Sequence, residues 1–63
     1  MRIIKDKLSD NKLLIVIGGN LKDVNKFIDD TNKFYKNYNV LVDDIQQFGS
    51  YACYTSIIIS QAY

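Results

Sequence analysis

The sequence predicts an α+β fold, in which one amphipathic helix packs on a small antiparallel-rich sheet of three to four strands in the order (β)βαββ. Three observations predict this class: a short continuous apolar run before residue 18, a helical apolar repeat after residue 20, and two β-rich segments around a glycine turn. A chain of 63 residues is too short to hold two cores, so we expect a single domain over 1–63.

The first strands are predicted from residues 13–17 (LLIVI), an apolar run bounded by turn residues. Such a run is typical of a strand that is central in a sheet and buried on both faces. Residues 2–7 form a second candidate strand, which can pair with the first across the turn at Ser9, Asp10 and Asn11. We therefore expect an N-terminal hairpin.

A helix is predicted over 21–38. Asn20 is a favourable N-cap residue, and Asp23 lies at the third helical position, where a carboxylate stabilises the helix dipole. Apolar side chains then recur at steps of three and four residues as far as Tyr38, and Asn39 ends the pattern. The side chains expected in the core are Phe27, Ile28 and Phe34, together with Ile57. The opposite, solvated face carries Lys22, Lys26, Asp29, Lys33 and Lys36.

The last third of the chain predicts a hairpin with Gly49 and Ser50 as a two-residue type II′ loop. That loop would set Val42 opposite Ile57 and Gln46 opposite Cys53. The face expected under the helix carries Val40, Val42, Cys53, Ile57 and Ile59. The reverse face carries Leu41, Ile45, Tyr54 and Ile58.

The apolar reverse face predicts self-association, because a small chain without disulfides commonly gains stability by forming oligomers. We expect a homodimer through this face or through the long edge of the final strand. The alternative is a monomer in which the N-terminal hairpin folds over the reverse face.

The composition excludes most catalytic chemistry. His, Glu, Trp and Pro are absent, and Cys53, the single cysteine, lacks both a disulfide partner and an activating base. We interpret Cys53 as a core residue of a strand. We interpret Gly18, Gly19 and Asn20 as a plain strand-to-helix turn, because the third glycine or the Gly-Lys-Ser/Thr of nucleotide-binding loops is missing. We therefore expect no enzyme, no catalytic residue, no metal site and no cofactor.

Asp43 and Asp44 are adjacent in a predicted strand, so their side chains point to opposite faces and cannot act on one substrate. They are expected to form polar pairs with Ser56 and Thr55 across the hairpin, or to contact a partner.

Eight basic and seven acidic residues give a net charge of +1, which makes nucleic acid an unlikely partner. The lysines lie mostly on the helix, away from the aromatic residues of the hairpin. No apolar run reaches the length of a membrane span, and the charged N-terminus does not resemble a secretory signal. We expect no membrane association and a cytoplasmic location.

The order of a strand, an amphipathic helix, a strand containing residues 42–45 (VDDI) and a final strand at 51–59 (YACYTSIII) resembles very small βαββ proteins of low-GC bacteria and their phages. The resemblance covers residues 13–60. The proteins that it resembles include a small sporulation-associated family and short phage inhibitors of host antiviral defence, such as the anti-Hachiman protein. The abundance of Ile, Lys, Asn, Tyr and Phe, all encoded by AT-rich codons, agrees with such an origin. The resemblance transfers no functional residue.

We therefore predict a non-catalytic interaction protein, with a phage-encoded inhibitor of a host defence protein as the leading hypothesis. In that case the protein would act in the cytoplasm of the host cell. The alternatives are a small host regulatory or sporulation protein and a nucleotide- or nucleic-acid-binding module. The residues expected to contact the partner are Tyr51, Tyr54, Asp43, Asp44 and Lys33.

Overall fold

The computed structural model describes residues 1–49 and 52–61, which form one α-helix packed on one face of a five-stranded antiparallel sheet. This arrangement confirms the predicted α+β class. The elements are β1 (Arg2–Ser9), β2 (Lys12–Gly19), α1 (Leu21–Phe34), β3 (Tyr38–Val42), β4 (Gln46–Phe48) and β5 (Ala52–Gln61).

The strand order is β1-β2-β5-β3, and β4 also pairs with β5. Strand β2 is central, as predicted. Strand β5 is paired on both sides, so the expectation that the final strand offers a long free edge is wrong. The N-terminal hairpin forms with Ile3 opposite Ile17, but β1 extends the sheet in its own plane. The alternative in which this hairpin folds over the reverse face is therefore also wrong.

The helix begins where the sequence predicts. The Asn20 side-chain oxygen accepts a hydrogen bond of 2.8 Å from the Asp23 backbone N–H, and the Asn20 amide donates one of 3.0 Å to the Asp23 carboxylate. The first of these contacts satisfies a backbone donor that the first turn of a helix otherwise leaves free.

The helix ends at Phe34 and not at Tyr38. Tyr35 caps it, and a turn closed by the hydrogen bond from the Tyr38 N–H to the Tyr35 carbonyl (2.9 Å) leads directly into β3. Tyr38 matches the helical repeat, but it also matches the two-residue period of Val40 and Val42. Pairing with β5 decides between the two periods, since it satisfies the backbone of this segment.

The core lies between α1 and strands β2 and β5. Two clusters form it: Ile15, Ile57 and Ile59 at one end of the helix, and Ile17, Val24 and Cys53 at the other. Phe27 and Ile28 contact both clusters, as predicted for the helix face. Phe34 is 79% exposed, which corrects its assignment to the core. At ~100° per residue its side chain points roughly 80° from the centre of the buried stripe.

The predicted strand after residue 40 is interrupted at residues 43–45. Before this break, Val42 pairs with Ile57 as expected. After it the register is shifted by one residue, so Gln47 and not Gln46 is opposite Cys53. The shift turns Ile45 to the helix side, where it packs on the second cluster. The prediction of Ile45 on the reverse face is therefore wrong. Ser50 lies outside the described residues, and with it the predicted turn type.

Candidate interaction surfaces

The strand register places five rows of side chains on the sheet face opposite the helix. We call this surface the open face. The two outer rows are Phe48 with Ala52 at one end and Lys12 with Ser60 and Asn39 at the other, and the three inner rows between them are called the first, second and third. The first row is Arg2, Gly18, Tyr54 and Gln46. The second row is Ile4, Val16 and Ser56. The third row is Asp6, Leu14, Ile58 and Leu41.

The open face carries a patch of exposed and half-buried apolar side chains, with Arg2, Asp6 and Gln46 at its margins. Leu41 and Ile4 are 68% and 55% exposed, and Leu14, Val16 and Ile58 are only half-buried by their neighbours in the sheet. The helix packs on the opposite face of β2 and β5 and so does not cover these side chains. An apolar surface of this kind is typical of a protein-binding site.

Two aromatic rings extend the first row. Phe48, in β4, is 63% exposed, and its ring stacks on Tyr54 with a centroid distance of 5.5 Å and an interplanar angle of 10°. Near the other end, Leu41, Ser56 and Ile58 surround a depression of about 300 Å³ with Asp43 on its rim. The open face therefore offers both a raised aromatic pair and a depression that can receive a side chain.

A second surface lies on the helix side of the sheet, where the helix ends. We call it the helix-end groove. It has a volume of about 310 Å³ and lies between the β1–β2 turn, the start of β3 and the end of β5. Its apolar and aromatic lining consists of Leu13, Tyr35, Tyr38 and Ile59. Its polar rim includes Lys7, Asp10 and Lys12.

Three aromatic rings meet beside this groove. Tyr35 contacts Phe34 and Tyr38 edge to face, with centroid distances of 4.9 Å and 5.3 Å. Tyr35 is half-buried and packs on the core, whereas Phe34 is largely exposed. These edge-to-face contacts restrict the orientations of the exposed rings. Such a restriction reduces the side-chain conformational entropy that binding would cost.

The charges around the groove are mainly positive. Lys7 and Asp10 are 3.6 Å apart but strongly exposed, so this ion pair adds little stability. Lys33 and Lys36 are exposed at the end of the helix and in the turn that follows it. Of the described charged residues that line the groove, two are lysines and one is an aspartate.

The residues predicted to contact a partner do not form one surface. Tyr54 lies on the open face, whereas Lys33 lies on the helix, on the other side of the sheet. Asp43 and Asp44 lie in the connection between β3 and β4, and both are exposed. Tyr51 lies outside the described residues.

The groove could not be found from the sequence. Phe34, Tyr35 and Tyr38 all fit the helical repeat, and this repeat explains them as core residues. The available signal was that three aromatic residues occur within five positions just before a strand. Their role as a surface cluster depends on where the helix ends, and tertiary pairing determines that end.

Asp43 and Asp44 have a structural role in the interruption between β3 and β4. The Asp43 N–H donates to the Ser56 carbonyl (3.0 Å), and the Asp43 carboxylate accepts a hydrogen bond from the Asp44 N–H (2.9 Å). The predicted side-chain pairs with Ser56 and Thr55 are therefore wrong. Both residues contact the Asp43 backbone instead, since the Thr55 hydroxyl donates to the Asp43 carbonyl. Cys53 is buried, and its thiol donates to the Gly19 carbonyl at 3.4 Å.

Within residues 1–49 and 52–61, no three side chains among His, Cys, Asp and Glu come together as a possible metal site. The helix described for this chain is not long and apolar enough to cross a membrane. No protein-family model, curated protein or solved structure matches the chain.

Proposed function

We propose that this protein is a non-catalytic interaction protein that acts by occupying a partner protein, and that the helix-end groove is the surface it uses. The observation that carries the proposal is the contact of Phe34, Tyr35 and Tyr38 beside a groove with an apolar floor. Exposed, preorganised aromatic side chains next to a pocket are characteristic of binding hot spots.

The groove also indicates the chemistry of the partner. Leu13 and Ile59 in its floor suit an apolar side chain inserted by the partner. Lys7 and Lys12 on the rim suit acidic groups on either side of that side chain. We therefore propose a partner segment with an apolar anchor and acidic flanks.

In the leading version of the proposal, the chain is encoded by a phage and the partner is an antiviral defence protein of the bacterial host. The AT-rich composition and the resemblance to short phage inhibitors support this version. Inhibition by occupation needs no catalytic group, which agrees with a chain that has neither His nor Glu.

The test is to express the chain in bacteria that carry single defence systems and to challenge them with phage. We expect rescued infection against one system, together with co-purification of one of its components at a fixed ratio. The double variant Phe34→Ala with Tyr38→Ala should lose both the rescue of infection and the co-purification. It should still unfold cooperatively, which would show that the variant is folded.

A matched control separates the groove from general charge effects. Lys7→Ala with Lys12→Ala should weaken co-purification, whereas Lys22→Ala with Lys26→Ala, on the solvated face of the helix, should not. If the second pair weakens capture as much as the first, the groove is not the binding surface.

A second candidate function has one observation in its favour, because lysines and aromatic rings meet at the same groove. Aromatic side chains beside positive charge can stack the bases of single-stranded nucleic acid. If the protein retains an oligonucleotide or nucleotide, and Tyr38→Ala releases it, nucleic-acid binding replaces the proposal of a protein partner.

A further inference from the structure

We infer that the open face is an interface between two copies of this chain. The two copies are related by a two-fold axis that runs across the strands, along the row formed by Ile4, Val16 and Ser56. This inference concerns the side of the sheet opposite the helix-end groove. It therefore goes beyond the proposed function and does not depend on the identity of the partner.

The need for a cover follows from how little of the sheet the helix protects. The helix packs on β2 and β5 from one side only, and the core contains no disulfide because Cys53 is a free thiol. Chains of this size usually need an additional source of stability. A second copy is present wherever the chain is made, whereas another protein is not.

The size of the open face agrees with a dimer interface. The longest strands have 8 to 10 residues and are about 26–33 Å long, and four strands side by side are about 19 Å wide. Such a face is on the order of the ~800 Å² that each partner contributes to a standard interface. The net charge of +1 means that two copies repel each other only weakly.

The three inner rows are complementary to themselves under this two-fold rotation. An axis along the middle row places the first row of one copy over the third row of the other. Arg2 then meets Asp6, which pairs opposite charges twice in each dimer. Isologous contacts of this kind are what closed two-fold symmetry requires.

The apolar side chains match in shape as well. The same rotation places Gly18 over Leu14, so a residue without a side chain faces a large one. It also places the ring of Tyr54 over Ile58, whose neighbours surround the depression of about 300 Å³. Interdigitation of large and small side chains is how two sheets pack face to face.

The dimer has a consequence for binding. The two helices lie on the outer sides of the paired sheets, so both helix-end grooves stay free. One dimer can then hold two copies of a partner, or two segments of one partner, and simultaneous engagement increases the overall affinity.

Sedimentation equilibrium of the full chain tests the inference with two neighbouring isoleucines. Ile4 lies on the open face, whereas Ile3 points to the helix side of the same edge strand. We expect the native chain to sediment as a dimer at micromolar concentration. Ile4→Asp should raise the dissociation constant roughly 100-fold, because it would bury carboxylates. Ile3→Asp should change it by less than about threefold.

Charge exchange tests the position of the axis. Arg2→Asp alone and Asp6→Arg alone should each raise the dissociation constant about tenfold, since each places like charges in contact twice. The double exchange, Arg2→Asp with Asp6→Arg, should restore the native value. Failure of this rescue, with Ile4→Asp still disruptive, would contradict the two-fold axis proposed here.

The remaining outcomes separate this inference from the proposed function. A native chain that is monomeric at high micromolar concentration overturns the dimer, even if it still rescues phage infection. If Ile4→Asp instead abolishes capture of the defence component by a monomeric chain, the open face belongs to that partner and the inference is wrong. A dimer that rescues no infection supports the inference and contradicts the proposed function.

Discussion

The buried hydroxyl of Thr55 donates a hydrogen bond of 2.7 Å to the backbone carbonyl of Asp43. Thr55 is 1% exposed, and the bond links β5 to the point where the neighbouring strand is interrupted. The register of the last hairpin shifts at this point. The contact therefore stabilises the interruption between β3 and β4, which places Ile45 on the helix side of the sheet.

Thr55→Val is expected to lower the free energy of unfolding by about 1–3 kcal/mol, because it removes the hydrogen bond that the structure gives to this carbonyl. Thr31→Val is the matched control. The Thr31 hydroxyl also donates to a backbone carbonyl, that of Phe27 (2.8 Å), but this carbonyl lies in a helix and keeps its backbone partner. Urea unfolding at one fixed protein concentration measures both. Equal losses would show that the Asp43 contact has no special role.

Phe27→Ala is expected to destabilise the protein by about 3 kcal/mol, since Phe27 contacts both core clusters. Phe34→Ala should change stability by less than about 0.5 kcal/mol, because Phe34 is 79% exposed. Thermal unfolding followed by circular dichroism compares them. If the Phe34 variant is as unstable as the Phe27 variant, Phe34 is a core residue after all.

Asn20→Ala is expected to cost about 1 kcal/mol through loss of the helix cap. Asn20→Ser keeps a side-chain acceptor for the Asp23 N–H and should recover most of this loss. The helical signal at low temperature and the unfolding midpoint report the effect. If the alanine and serine variants behave alike, the cap does not limit the stability of the helix.

Gly49→Ala is expected to cost about 1 kcal/mol, because Gly49 has a φ of +70°. Among residues 1–49 and 52–61, chain neighbours aside, a Cβ added there meets no atom within 4 Å, so the expected cost comes from the backbone. Gly49→Asn should cost less, since Asn tolerates this region better. An alanine variant with native stability would mean that the turn has another conformation in solution.

The sequence predicted the parts of the fold that depend on local patterns. The N-cap at Asn20, the central strand around Ile15 and the pairing of Val42 with Ile57 follow from capping chemistry, an apolar run and the two-residue period. Each of these signals lies within a few residues of the structure that it predicts.

The parts that the sequence did not predict depend on distant contacts. Tyr38 satisfies both a helical and a strand period, and only its pairing with Gln61 decides between them. The break at Asp43 depends on Thr55, twelve residues away. The helix-end groove needs the β1–β2 turn to meet the end of the helix, and no local pattern encodes that meeting.

The proposed dimer, in which two copies meet through the open face, can be tested by nuclear magnetic resonance. A mixture of isotope-labelled and unlabelled chains reports intermolecular NOEs, which identify the residues in contact between the copies. Tyr54 and Ile58 lie four residues apart in β5, about 13 Å along one strand, which is too far for an NOE within a chain. For this dimer we expect an NOE between the Ile58 methyl groups of one copy and the Tyr54 ring of the other. A dimer whose intermolecular NOEs arise only from helix residues such as Phe34 would contradict it.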